Sequence, residues 1–156
     1  MSEAKQNYVA GAWVDGASAS PNVNPSNTAD VIADYVRADA AQATAAIAAA
    51  KAAAPGWAES GIQQRHDVLA AVAAEITARK DEIGRLLARE EGKTLAEGIG
   101  ETLRAAQIFN FFAGETLRLA GEKLPSTRPS LEVEIGREPL GVVGIITPWN
   151  FPIAIP

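Results

Sequence analysis

The spacing of apolar residues changes period along the chain, and each period predicts an element. Residues 7–14 (NYVAGAWV) carry two short β-prone runs about Ala10-Gly11, which predicts a hairpin. Residues 16–28 are rich in Gly, Ser, Asn and Pro and read as a loop. Val31–Arg37 is again β-prone and extended. Three helices follow. Asp39 with Gln42, Ser60 with Gln63 and Thr94 with Glu97 each have capping-box spacing, where a short side chain accepts from the N3 amide and the N3 side chain reaches back. The first helix is predicted over 39–54, stopped by Pro55-Gly56. The second runs over 61–91, with Leu69, Val72, Ile76, Ile83 and Leu87 on one stripe and Gly92 as its left-handed stop. The third runs over 94–120, with Leu95, Ile99, Leu103, Ala106, Phe109, Ala113 and Leu117 along one face. Gly121 and Pro125 end it.

Beyond a Pro/Ser/Thr/Arg loop the period drops to two. Leu131–Ile135 alternates apolar and charged residues, as a half-exposed strand does. Pro139-Leu140-Gly141 turns the chain. Val142-Val143-Gly144-Ile145-Ile146 is a continuous apolar run, the pattern of a strand covered on both faces. Such a strand needs neighbours on both edges, and the rest of the sequence supplies few. The expectation is therefore an α/β protein of which these residues form the front part.

Composition narrows the chemistry. The chain has 156 residues, 47% hydrophobic and 21% charged, as expected of a globular domain. Lys+Arg 14 against Asp+Glu 19 gives a net charge of -5, which argues against nucleic acid or an anionic membrane as partner. There is no cysteine and one histidine. These residues alone hold no disulfide, cysteine-ligated metal, thiol nucleophile or Ser-His-Asp triad. The N-terminus MSEAKQNYVAG has no apolar core for a signal peptide, and no apolar run reaches about 20 residues. The expected location is cytoplasmic.

Several motifs have plain explanations. Gly92-Lys93-Thr94 resembles the tail of a P-loop, but Leu87 stands where that motif needs glycine. It reads as a helix stop followed by a helix cap. Gly98-Ile99-Gly100 begins like a dinucleotide fingerprint, but Leu103 replaces its third glycine and the stretch is helical. His66 reads as a solvated helix residue. Glu90 and Glu91 diverge on a helix and Glu132 and Glu134 share a strand face, with solvation the default for both pairs. The strand Leu131–Arg137 reads equally as solvated or as an edge open to another subunit.

Gly141–Pro152 (GVVGIITPWNFP) differs. In open α/β sheets ligands bind beyond the carboxyl ends of strands, where Thr147–Asn150 would lie. Pro148 and Pro152 stiffen this loop and fix the Asn150 amide, a preorganised donor suited to an oxyanion. The competing reading makes Asn150 a turn residue and Trp149 core packing. Physics alone favours the latter.

GVVGIITPWNFPIAIP strongly resembles the Pro-Trp-Asn-Phe-Pro signature of the NAD(P)-dependent aldehyde dehydrogenase superfamily. NYVAGAWVDG, NVNPSNTADVIADY, GWAESGIQQRHDVL, LAREEGKTLAEGIGE, QIFNFFAGE and SLEVEIGREPLGVVG resemble further family segments in order. The middle segments look most like semialdehyde dehydrogenases, including those acting on α-ketoglutaric semialdehyde. The resemblance implies the N-terminal part of that fold: an N-terminal β-hairpin, three long helices, an oligomerisation strand and the first buried strand of the cofactor-binding sheet. Residues 1–128 would begin the cofactor-binding domain, 129–138 the oligomerisation strand, and 139–156 the buried strand and oxyanion loop. It implies a small aldehyde as substrate, NAD or NADP as cofactor, and a homo-oligomer, dimer or tetramer. A cysteine thiolate would attack the aldehyde, hydride would pass to the nicotinamide, and a glutamate-activated water would hydrolyse the thioester. Asn150 matches the oxyanion donor. Ile146, Thr147, Pro148 and Trp149 match the cofactor cleft. The Val23 backbone and the Glu101 carboxylate match positions where some members hold a structural monovalent cation. Leu131–Arg137 matches an oligomerisation strand. The matching nucleophile, general base, ribose lysine and glycine-rich turn fall after Asn150, so these residues alone should be inactive. The alternative is a catalytically inactive interaction module pairing through Leu131–Arg137, or a non-enzymatic helical scaffold.

Overall fold

The computed structural model describes residues 4–156, so the first three residues of the polar N-terminus lie outside it. Two short strands, β1 (Asn7–Val9) and β2 (Ala12–Val14), pair antiparallel with Val9 opposite Ala12. Their two-residue link has Ala10 at φ 53 and Gly11 at φ 83. Two consecutive positive φ values give the primed turn whose twist matches the strands. Tyr8 and Trp13 stack across the hairpin, ring centroids 4.9 Å apart.

Part of the predicted loop is a strand. β3 (Ser18–Val23) pairs antiparallel with β4 (Val31–Arg37), and the ladder shifts register between Asn22 and Val23. Pro21 is tolerated because this sheet has only two named strands and its edges are open. Lys5 adds a short parallel bridge to Tyr35.

The helical segment holds four helices, not three. α1 (Ala40–Ala58) starts at Asp39, whose side chain accepts from Gln42 N at 2.8 Å. The box is half-formed: the Gln42 side chain accepts from Asn7 and donates to the Asp15 carbonyl, tying the hairpin to the helix start. α1 continues through Pro55-Gly56. Its last carbonyls find a donor in Arg65, which bonds Trp57 O at 3.2 Å and Ala58 O at 2.8 Å, so the final turn persists despite the proline. Ser60 is not a cap. Gly61 starts α2 (Ile62–Ala78) without a side-chain cap, because Ser60 Oγ donates to Trp57 O and accepts from Arg65.

The predicted 61–91 helix breaks at Arg79 (φ -101, ψ 15), giving α2 and α3 (Lys80–Glu91). The Arg79 guanidinium bonds Glu82 at 2.7 and 2.9 Å and faces Glu75 across the break. Both halves pack on α4 (Leu95–Thr116). Thr94 caps α4 with the full capping box predicted for it. α4 stops at Thr116 rather than 120, and Glu122–Pro125 forms a strand, β5. It pairs antiparallel with β6 (Glu132–Ile135).

The buried face of α4 is a stripe of small residues, Gly98, Thr102, Ala105, Ala106 and Ala113; Leu95 and Leu117 are exposed. Thr102 has no exposed surface and returns its hydroxyl to Gly98 O at 2.8 Å. Small residues let α3 approach closely. A Cβ on Gly84 would stand 2.7 Å from Ile99 N, and one on Gly98 would overlap the Gly84 carbonyl. Gly98 is therefore a packing residue. Two polar clusters dock β3–β4 on α3. Arg89 binds Asp30 bidentately, at 2.6 and 3.0 Å, while Asn22 and Tyr35 both donate to Glu90.

The apolar run 142–146 is not a strand here, and Ile146 is fully exposed. Continuous hydrophobicity reports cover on two faces, and the described residues provide neither that cover nor a neighbouring strand. β6 is likewise exposed along its whole length, not half-exposed. No helix among the described residues is long and apolar enough to cross a membrane.

Candidate functional site

The α3–α4 corner builds the site. Gly92 ends α3 in the left-handed conformation at φ 77, and Thr94 begins α4. Lys93 is the single residue between these two caps, so its backbone direction is fixed. Its ammonium donates to Glu101 Oε2 at 2.5 Å and to the Asn150 carbonyl at 3.4 Å. It also ion-pairs with Glu91 and lies 5.0 Å from the centroid of the Phe151 ring. Glu91 Oε2 is buried and makes no directed hydrogen bond.

Glu101 stands on the buried side of α4 at 6% exposure. Its Oε1 accepts from two successive backbone amides, Ile153 N at 3.1 Å and Ala154 N at 3.3 Å. Burial pushes the Glu101 carboxyl upward, but the bond from Lys93 and those from Ile153 and Ala154 outweigh it and hold the carboxyl below its ordinary value. Burial likewise pulls Lys93 down, and its bonds to Glu101 and Glu91 reverse this and raise it. Both groups stay charged. Beside them opens a cavity of about 400 Å³ lined by Gly100, Arg104 and Phe151 among others.

Asn150 follows the exposed run 142–146. Its backbone carbonyl is held by Lys93, while its side-chain amide makes no hydrogen bond with the described residues. It is exposed rather than sealed in a core, so the amide is free to donate. Of the four residues expected at a cofactor cleft, Ile146, Pro148 and Trp149 are exposed and Thr147 is half-buried. Trp149, 87% exposed, and Ile146 present flat apolar surface that suits a ring. None of the four carries a cation.

Of the two positions expected at a cation, Glu101 has both of its oxygens engaged. Val23 sits at the bulged end of β3 opposite Val31. Glu101 already faces a positive charge, that of Lys93, and two amide donors occupy its other oxygen. The arrangement at Glu101 does not fit an added monovalent cation. No cluster of three or more acidic or histidine side chains suited to a metal exists among the described residues.

The remaining candidates lie elsewhere. His66 contacts Asp67 at 3.0 Å on the surface of α2. Glu132 and Glu134 are exposed and share Lys123. Glu90 and Glu91 diverge as expected but are not solvated. Glu90 takes Tyr35 and Asn22, and Glu91 faces Lys93. Lys93 and the amides of Ile153 and Ala154 are members of this cluster that the sequence did not single out. The one available signal was a cationic residue confined between a helix stop and a helix cap.

The Aldehyde dehydrogenase family model matches residues 13–156. The chain is 37% identical to the alpha-ketoglutarate semialdehyde dehydrogenase of Haloferax volcanii, covering all of this chain and 33% of that protein. It is also 37% identical to the alpha-ketoglutaric semialdehyde dehydrogenase of Bacillus subtilis, covering 96% and 31%. Among solved structures, an aldehyde dehydrogenase from Brucella melitensis biovar abortus superposes with a TM-score of 0.92 at 35% identity, over 96% of this chain and 31% of that one. The betaine aldehyde dehydrogenase of Staphylococcus aureus, solved in complex with NAD+, gives 0.89 at 32% identity over 96% and 30%. The chain thus spans about a third of the length of the relatives it matches.

Proposed function

Because the chain belongs to the aldehyde dehydrogenase family, we propose that the protein containing it oxidises an aldehyde to a carboxylic acid with NAD or NADP, and that Asn150 is the side-chain donor to the reacting oxygen. The substrate class is a semialdehyde, supported by the two keto-acid semialdehyde dehydrogenases it is similar to. A cysteine thiolate outside these 156 residues adds to the aldehyde carbon, and the carbonyl oxygen becomes an oxyanion. Asn150 donates to that oxygen as the charge develops. The nicotinamide, when bound, supplies the hydride acceptor. Loss of hydride leaves a thioester, which water cleaves to acid and free thiolate. Ile146, Thr147, Pro148 and Trp149 form one wall of the cofactor cleft and keep bulk water from it.

The observation carrying this reading is the Asn150 amide: exposed, unengaged, and set on a loop whose backbone is tied to Lys93. A preorganised donor of this kind is worth about 10²–10³ in turnover. In the complete enzyme, Asn150→Ala should lower kcat by about that factor and leave the cofactor KM nearly unchanged. Unchanged turnover, with hydride transfer or an earlier step shown to limit the rate, removes Asn150 from the mechanism. The same protein should self-associate as a dimer or tetramer through the open edge of β6, where Leu131, Val133 and Ile135 stand exposed.

A further inference from the structure

The segment after Asn150 is a single turn, and its first N–H groups are not satisfied within it. Ile155 N bonds Phe151 O at 3.2 Å, which makes Phe151 the first residue of a helical turn. Pro152, Ile153 and Ala154 then occupy its first three inner positions, whose donors have no partner in a turn. Pro152 has no N–H to satisfy and its fixed φ suits the first position. The two orphan donors left are those of Ile153 and Ala154, and both go to Glu101 Oε1, 52 and 53 residues away in sequence. The other Glu101 oxygen is held by Lys93, which reaches on to the Asn150 carbonyl. One buried carboxylate on α4 therefore caps the turn on one side of Asn150, and its lysine partner holds the Asn150 backbone itself.

The geometry points to Glu101 as a positioning residue for the oxyanion loop, acting with Lys93 to fix where the Asn150 amide stands. This rests on the proposed role of Asn150. A charged acceptor is apt for the task, since bonds to an ionised carboxylate are about twice as strong as neutral ones. The anchor is stiff because Glu101 lies within the buried stretch of α4 that includes Gly98, Thr102 and Ala105. Lys93 is confined by its two flanking caps. A misplacement of about 1 Å in a catalytic donor can reduce turnover about a hundredfold, so an anchor that touches no substrate still governs the rate.

The test is Glu101→Ala and Glu101→Gln in the complete enzyme, with backbone amide exchange and steady-state kinetics measured together. Exchange at Ile153 and Ala154 should rise about tenfold to a hundredfold in Glu101→Ala, while amides of the buried α4 stripe exchange as before. Its kcat should fall by a similar factor with the cofactor KM within about twofold. Glu101→Gln keeps one uncharged oxygen for the two amides but turns an NH2 donor toward the Lys93 ammonium, so it should recover only part of both. Should Glu101→Ala fail to fold, Lys93→Met reads the other half: faster exchange at Ile153 and Ala154 with lowered kcat. Unaltered exchange at Ile153 and Ala154 in a folded Glu101→Ala protein overturns the proposal. So does a Glu101→Gln protein whose Ile153 and Ala154 exchange is no slower than in Glu101→Ala. Asn150→Ala, measured alongside, keeps the two ideas apart. If it leaves turnover intact the oxyanion role fails, whereas the exchange data alone decide whether Glu101 holds the loop.

Discussion

Consider a methyl group added at the α3–α4 crossing by Gly84→Ala. The new Cβ would lie 2.7 Å from both Ile99 N and Ile99 Cγ1, and 2.8 Å from Ile99 Cα. Non-bonded atoms are comfortable near 3.5 Å, so the two helices must part by about 0.8 Å. Two of the three obstructing atoms are backbone and cannot rotate aside. Overpacking of this kind costs about 1–3 kcal/mol. Against it stands the gain from alanine over glycine within a helix, about 0.8–1 kcal/mol. Gly100→Ala isolates the steric part, because Gly100 is also in a helix interior and a Cβ there meets nothing within 4 Å. The helix gain is common to both variants, so their difference is the overpacking alone, about 1–3 kcal/mol. At about 2–4 °C per kcal/mol, Gly84→Ala should unfold roughly 2–12 °C below Gly100→Ala. The assay is thermal unfolding of both variants, and of the unaltered protein, in one buffer. Equal midpoints for the two substitutions would show that the helices do not touch through these glycines.

Two further predictions concern the docking of the elements. Arg89 and Asn24 hold the Asp30 carboxyl down to about 2 from its usual 3.8. A lowered carboxyl contributes stability that is complete above about 3.8 and is lost as pH falls toward 2, so Asp30→Asn should flatten the acid-unfolding curve in that interval. A curve of the same slope in both proteins would mean that this ion pair does not couple to folding. Thr94→Ala removes the hydroxyl that accepts from Glu97 N and should lower stability by about 1 kcal/mol, read from the denaturant midpoint. No shift would mean that Glu97 alone caps α4.

What could be read from sequence was local. Ala10-Gly11, Gly92 and the Thr94–Glu97 box all act within four residues of themselves, and the structure has each as expected. The break at Arg79 was invisible because arginine is a good helix former; its side-chain bonds to both neighbouring turns and the packing of both halves on α4 decide it. Pro55 misled because the donor that rescues the last turn of α1 is Arg65, beyond the helix. On α4 the large apolar residues drew the expected face, whereas the buried stripe is Gly, Ala and Thr. Close approach of backbones selects small side chains, which carry little hydrophobic signal. Asn150 was legible through its family motif and its two prolines. Glu101 stood out in the sequence, but its contacts did not, since nothing local links a helix glutamate to amides 52 residues later.

The helix α4 packs against α2 and α3 and carries Glu101 among its buried residues, so the loop inherits its coordinates from the helical layer. Lesions at Gly84 or Gly98 should then do two things at once, lowering the amount of folded protein and displacing the loop that α4 carries. Such variants would gather on the seam between the two glycines, and because the atoms they strike are mostly backbone, no single side-chain truncation would relieve them.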